Sequence, residues 1–531
     1  MPAPQPLTRR DRLTALILAA VALAAGYWWL VAGVCGTYHD DAIYVATAKA
    51  LAEGRGYRLI NLPAAPLQTK YPVLYPALLA LIWKLWPSFP DNLWAMQALS
   101  LLAGGALTGL SYLYLVRFGY CSRGVALAAG LLCGTSINFL YFSTLTLSEI
   151  PFGLLVLGVL WALENQARSP QSSGVRQFLM GVLLGLPYLC RSLGIILAPV
   201  GLFFLYRRRR PVLWVAVGTA AVILPWLWWI PWISVHVPQD PIVGYYTDYF
   251  TWWYEHGFSV YAQIPFHNLA HILIFSSFLG VPGLEKIIFS AESKISLFFF
   301  YFLGLITWII IAANARRIQL LPLYLAAYLA VVILWPWPPF RFLAPILPFL
   351  LAYLIFWLAA SATRLSSIPI HRYVLPVALA ILLTANLVLV YNYGRVNRET
   401  GYPTLVRSHP KIYWSSHEEV FNWIKSHTAP DEVIISGSDS MVYLYTGRPA
   451  IRLYLANPAS IFYGYPSQSR GTEDILQAMK AYQARYLVQM PVPGEKDPEK
   501  DLHALLQESP GVWQPVFVGK DPRFIIYAVR P

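Results

Sequence analysis

A succession of apolar runs, many close to 20 residues long and separated by short basic loops, leaves this chain few folds to choose from. A run of about 20 residues is what a helix needs to cross a hydrocarbon core roughly 30 Å thick. Inside lipid, backbone polar groups are satisfied only in helices or closed barrels. The composition agrees, with 57% hydrophobic and 12% charged residues against roughly 25% charged in ordinary soluble domains. The formal net charge of +13 does not point to nucleic acid. The basic residues fall largely between apolar runs, as in cytoplasmic loops under the positive-inside bias. The first run follows Thr8-Arg9-Arg10-Asp11-Arg12 and continues to Trp28-Trp29 with no convincing cleavage site, so it reads as a retained span. The four cysteines (Cys35, Cys121, Cys133, Cys190) are scattered and predict neither a disulfide framework nor a cysteine metal site.

Charge parity orders the spans. Leu13–Val34 leaves the cytoplasm, and an outer loop carries His39-Asp40-Asp41-Ala42-Ile43-Tyr44, an amphipathic helical segment Ala42–Glu53, and Lys70. Val73–Trp86 is too short to cross and reads as an interfacial helix. Leu93–Val116 then returns Arg117 and Arg123 to the inside, and Val125–Thr144 and Phe152–Ala167 follow as one span each. Phe178–Tyr206 has Arg176 before it and Arg207-Arg208-Arg209-Arg210 after it, so two short helices turning near Arg191-Ser192 are expected. Val212–Val235, Ile295–Ala313, Leu320–Trp335, Phe342–Ala360 and Tyr373–Tyr391 bring the total to about 11 spans. The amino terminus is inside and the carboxy terminus outside. No internal repeat is evident.

Residues 1–393 therefore form a membrane domain, with an active-site loop at about 35–72 and an aromatic outer loop at about 236–294. Residues 394–531 read as an extracytoplasmic α/β domain. Helices are expected at Glu418–His427 and Glu473–Tyr482, and strands at Glu432–Ser436, Arg485–Met490, Trp513–Gly519 and Arg523–Val529; Met441–Tyr445 stays ambiguous.

This topology gathers Asp40, Asp41, Lys70, Glu149, Arg191 and Arg341 at outer span ends. Cations held outside against the positive-inside bias suit an anion arriving at membrane depth, such as a lipid phosphate. A neighbouring carboxylate suits a general base. Each residue also has a plainer use. Asp40 and Asp41 suit a helix first turn, Lys70 a headgroup anchor, Arg191 a structural pair with Glu149, Arg341 a snorkelling position, and Glu149 a helix start. His267 and His271 are spaced for one helix face, with Glu255-His256 upstream, but they suit solvated histidines better than a metal. No metal site is expected, although two adjacent carboxylates could ligate a divalent cation through oxygen.

Together the motifs resemble the GT-C superfamily of integral-membrane glycosyltransferases, in the branch of protein O-mannosyltransferases and lipid A aminoarabinose transferases. The resemblance rests on Asp40-Asp41-x-x-Tyr44, Thr69-Lys70-Tyr71-Pro72-x-Leu74-Tyr75-Pro76, Ser148-Glu149-Ile150-Pro151, Arg191-x-x-Gly194 and Arg341-Phe342-Leu343-x-Pro345-x-Leu347-Pro348. It departs from the branch at Asp41, where glutamate is common, and at Tyr71, which replaces a proline. The resemblance implies an inverting transferase that uses a polyprenyl-phosphate sugar on the outer face of the cytoplasmic membrane. Asp40 would be its base and Asp41 a helper. Lys70, Arg191 and Arg341 would hold the lipid phosphate, and Tyr44 and Glu149 are further candidates to position substrate. The acceptor stays open between protein, lipid and glycan. Three alternatives stay open: a lipid-linked substrate transporter or flippase, a degenerate binding or scaffold protein of the same superfamily, and a lipid-pyrophosphate-dependent oligosaccharide ligase, which is still an enzyme.

Overall fold

The computed structural model describes residues 4–169, 173–236, 240–248, 257–280, 294–337, 339–365, 371–404, 411–453, 472–491 and 497–529. Its helices through residue 400 are α1 (Arg9–Trp29), α2 (Asp40–Ala52), α3 (Leu74–Leu85), α4 (Leu93–Arg117), α5 (Arg123–Gly134), α6 (Ile137–Thr144), α7 (Glu149–Arg168), α8 (Gly174–Cys190), α9 (Leu197–Arg207), α10 (Leu213–Ser234), α11 (Pro241–Thr247), α12 (Gly257–Phe278), α13 (Lys294–Ala315), α14 (Leu320–Leu334), α15 (Phe340–Leu343), α16 (Leu347–Leu365) and α17 (His371–Thr400). Among the described residues, seven helices are long and apolar enough to cross a membrane alone, and the bent pair α5–α6 makes an eighth. The remaining expected spans are the shorter apolar helices α8, α9 and α14.

The chain packs as two units. The first holds Met1–Leu30, Gln97–Leu227 and Ala262–Arg395. Here the expected single span Val125–Thr144 is two helices bent by 60°. The cause is polar: Ser136 stops the apolar run and caps the next helix by accepting from the Phe139 amide. The turn expected near Arg191 is present. Pro187 lies in the last turn of α8, Arg191 is extended (φ −155°), and a 3-10 turn, Ser192–Ile196, leads into α9. A Cβ on Gly194 would run into the Pro187 backbone, so the two helices can meet this closely only at glycine. Gly181 and Gly218 give α8 and α10 the same closeness, each lying against a carbonyl of the other helix.

The second unit holds Val31–Met96, Trp228–Tyr261 and Val396–Pro531. Helix α2 begins with Asp40 and Asp41, which suit its positive end, and ends near Lys49. Its expected amphipathic character is not found. Ala42 through Ala48 are all buried, because a run of alanines interleaved with Ile43, Tyr44 and Val45 lets neighbours pack on every side. Gly54 and Gly56 stop the helix at positive φ. Helix α3 keeps one apolar side outward, with Leu81 and Leu85 exposed.

The expected aromatic loop 236–294 is more regular than a loop, since it holds α11 and the 22-residue α12. Glu255 and His256 lie outside the described residues, as do 281–293.

The carboxy-terminal part is a five-stranded sheet in the order β2-β1-β3-β5-β4, with β1 (Ile434–Ser436), β2 (Ala450–Arg452), β3 (Tyr486–Gln489), β4 (Trp513–Val518) and β5 (Ile525–Val529). Strands β2, β1 and β3 are parallel, and β5 and β4 continue antiparallel. Its helices are α18 (Trp414–His427), α19 (Asp439–Thr446), α20 (Thr472–Tyr482) and α21 (Asp497–Glu508). His417, Val420, Phe421 and Ile424 recur at helical spacing and turn one face of α18 inward. Val420, Phe421 and Ile424 join Ile434, Met441, Val488 and Ile526 in the core. The ambiguous stretch Met441–Tyr445 is helical, within α19.

Candidate active site

In the second unit, α2 starts from a residue held in an unusual conformation. His39 has φ +63°, outside the range most side chains prefer. Gly36, also at positive φ, sits where a Cβ would lie 2.6 Å from the Met441 side chain. This tight turn aims the Asp41 carboxylate back at its own loop, where it accepts from the amides of Gly36 (2.8 Å) and Tyr38 (3.2 Å). Burial raises the Asp41 pKa to about 6, although these backbone N–H groups oppose the shift. Asp40 is half-buried, and its carboxylate accepts from the Tyr71 hydroxyl at 2.7 Å. The two carboxylates thus engage separate donors. Tyr44 is buried edge-on to Tyr71 and Tyr75, so it supports the ring that reaches Asp40.

Lys70 comes from the loop before α3. Its backbone is held by the Gln68 side chain, and its ammonium donates to the Tyr245 carbonyl at 2.8 Å. Burial lowers its pKa to about 8, with Asp40 and Asp248 opposing and Arg452 adding to the shift. Tyr245 sits in α11, and its hydroxyl accepts from Arg452 at 3.2 Å. The next residue, Tyr246, stacks on His39 at 5.7 Å and donates to Asp439 at 2.6 Å. Asp439 is fully buried, accepts from the Asn61 amide at 3.2 Å, and lies 3.7 Å from His39 Nε2. Burial, followed by the Arg452 charge, holds His39 well below its usual pKa, so its ring is neutral.

The first unit contains a separate charged cluster. Glu149 at the start of α7 is fully buried, and one of its oxygens meets Arg191 at 3.0 Å and Arg341 at 2.5 Å. Arg191 also donates to the Ser148 hydroxyl at 3.1 Å. Glu149 Oε2 has no hydrogen-bond partner among the described residues.

The structure brings Asp40, Asp41, Tyr44 and Lys70 together in one unit, and Glu149, Arg191 and Arg341 in the other. Among the described residues, no group of three or more His, Cys, Asp and Glu side chains could hold a metal ion. His39, Tyr71, Tyr245, Tyr246, Asp439 and Arg452 were not singled out as candidates from sequence. Asp439 did leave a signal, since Ser436-Gly437-Ser438-Asp439 is a strand end followed by a helix start. Arg452 left none.

No protein-family profile and no curated protein sequence matches the chain. Solved structures do. ArnT from Cupriavidus metallidurans, in a structure bound to undecaprenyl phosphate, is 14% identical with a TM-score of 0.52, over 97% of each chain. The oligosaccharyltransferase of Archaeoglobus fulgidus in its apo form is 11% identical with a TM-score of 0.53, over 96% of this chain and 73% of the other. At such low identity the likeness is one of backbone architecture. It extends over nearly the whole chain, and the protein has the GT-C fold of integral-membrane glycosyltransferases.

Proposed function

We propose that the protein transfers a sugar from a polyprenyl-phosphate carrier to an acceptor at the outer face of the cytoplasmic membrane. The observation that carries this reading is the pairing of Asp40 and Lys70. A half-buried carboxylate is held by Tyr71, and the residue just before that tyrosine supplies a buried ammonium close enough to feel its charge. A base and a phosphate-binding cation are the two groups that sugar transfer from a lipid phosphate needs. The structural likeness to ArnT, described with undecaprenyl phosphate, supports the same donor class.

In this mechanism an acceptor hydroxyl or amine attacks the anomeric carbon from the side opposite the phosphate. The sugar–phosphate C–O bond breaks, the acceptor proton passes to the Asp40 carboxylate, and polyprenyl phosphate leaves with its charge on Lys70. Inversion follows from the in-line displacement. Asp41 positions the turn through Gly36 and Tyr38 instead of touching substrate. Within the first unit, Glu149 holds Arg191 and Arg341, the two arginines that the resemblance assigns to phosphate.

The test uses protein in lipid nanodiscs, a panel of radiolabelled polyprenyl-phosphate sugars and an envelope extract as acceptor. Wild type is expected to release carrier phosphate and transfer label, and Asp40→Asn to lose at least about a thousandfold in turnover while still retaining donor. Full activity in Asp40→Asn would end the assignment of the base.

A further inference from the structure

In open α/β sheets, ligands gather at the carboxyl ends of parallel strands. Strands β1 and β2 end together here, with Ser436 in register with Arg452, and Asp439 begins α19 just beyond. Both charged residues are buried, at 0% exposure for Asp439 and 3% for Arg452. Charges at that depth need partners. Tyr246, Asn61 and His39 surround Asp439. Arg452 faces Tyr245, its guanidinium 5.2 Å from the ring centroid, and the Lys70 ammonium lies 4.9 Å from the same centroid.

Two buried cations thus share one aromatic ring. Aromatic faces attract cations, but a packed interior gains nothing from gathering two like charges, each of which disfavours the other. The charges of Asp40 and Asp248 offset part of that of Lys70, and buried Asp439 feels the charge of Arg452. The lysine alone is therefore a modest anion site.

Resting on the donor proposed above, we propose that Arg452 is a second phosphate-binding residue, closing on the same oxyanion as Lys70. The carboxy-terminal α/β region then supplies part of the phosphate site. A guanidinium engages two phosphate oxygens at once, and an ammonium takes one as a point charge. Tyr245 spaces the two cations and turns with α11 between them.

The experiment measures retention of polyprenyl phosphate by full-length protein in nanodiscs at neutral pH. Arg452→Gln is expected to weaken binding by about tenfold or more, as Lys70→Gln does, and Arg452→Lys to fall between. Binding by Arg452→Gln within about twofold of wild type would overturn the assignment and leave the donor reading standing. If wild type itself retains no polyprenyl phosphate, both fall. Should Arg452→Gln not fold, hydrogen exchange on wild type decides. Polyprenyl phosphate, but not uncharged polyprenol, should slow amides of 450–453 and 241–248, and equal exchange with the two lipids would overturn the proposal. A soluble arm separates donor from acceptor. If Arg452→Gln loses competition by inorganic phosphate yet retains the lipid, the arginine serves an acceptor phosphate and the assignment to the carrier is wrong.

Discussion

Lys70 is held where its charge is disfavoured. An ordinary lysine is charged throughout the neutral range, but burial lowers this one to about 8. Its ammonium is therefore present below that pH and lost as pH rises through it. A polyprenyl phosphosugar is a phosphodiester with constant charge across the same interval. Donor affinity should be level from pH 6 to 7 and weaken above about 8, by up to about tenfold per unit. Lys70→Arg should flatten the profile, because a guanidinium stays protonated. An equal slope in both proteins would remove Lys70 from the phosphate. Asp41 moves the other way: burial raises it to about 6 against the pull of its backbone N–H contacts. That Asp40, Asp41 and Lys70 lie together could be anticipated because they sit within one short loop of the sequence. Their partners could not, since Asp439 and Arg452 reach the site only through the sheet.

At the scale of elements, the apolar runs were readable because lipid leaves the backbone so few choices. The bend after Gly134 and the short strand β2 were harder. The first depends on two polar residues in an apolar run, and the second is three residues long, too short for any periodicity. The tie between α7, the α8 turn and α15 is carried by Glu149, which both arginines share. Replacing one partner of a buried ionic contact typically costs about 3–5 kcal/mol. Glu149→Ala should lower the melting temperature in nanodiscs clearly, and Ser148→Ala, which removes one neutral acceptor, only slightly. Equal melting of the two variants would show that the cluster does not hold these elements together.

On the scale of the molecule, the second unit is built from three stretches distant in sequence. Its last stretch begins at Val396. Packing adds 31–96 and 228–261 to the carboxy-terminal region. Asn61 accepts from the Ala450 amide and donates to Asp439, contacts that join the first of these stretches to the sheet. A chain ending at Arg395 should therefore insert in membranes yet retain no polyprenyl phosphate, and 31–96 should become open to protease. Retention equal to full length would show that the carboxy-terminal region is dispensable to the site.

The separation of His39 from Asp439 along the chain also sets a schedule. A ribosome adding roughly 5–20 residues per second needs on the order of 20–80 s to travel from one to the other. Through that interval the turn before α2 has been made but lacks the carboxylate that Tyr246 and His39 meet. Under the proposed function, nascent and prematurely terminated chains would be inert toward the carrier lipid, and competence would come only with the last sixth of the chain.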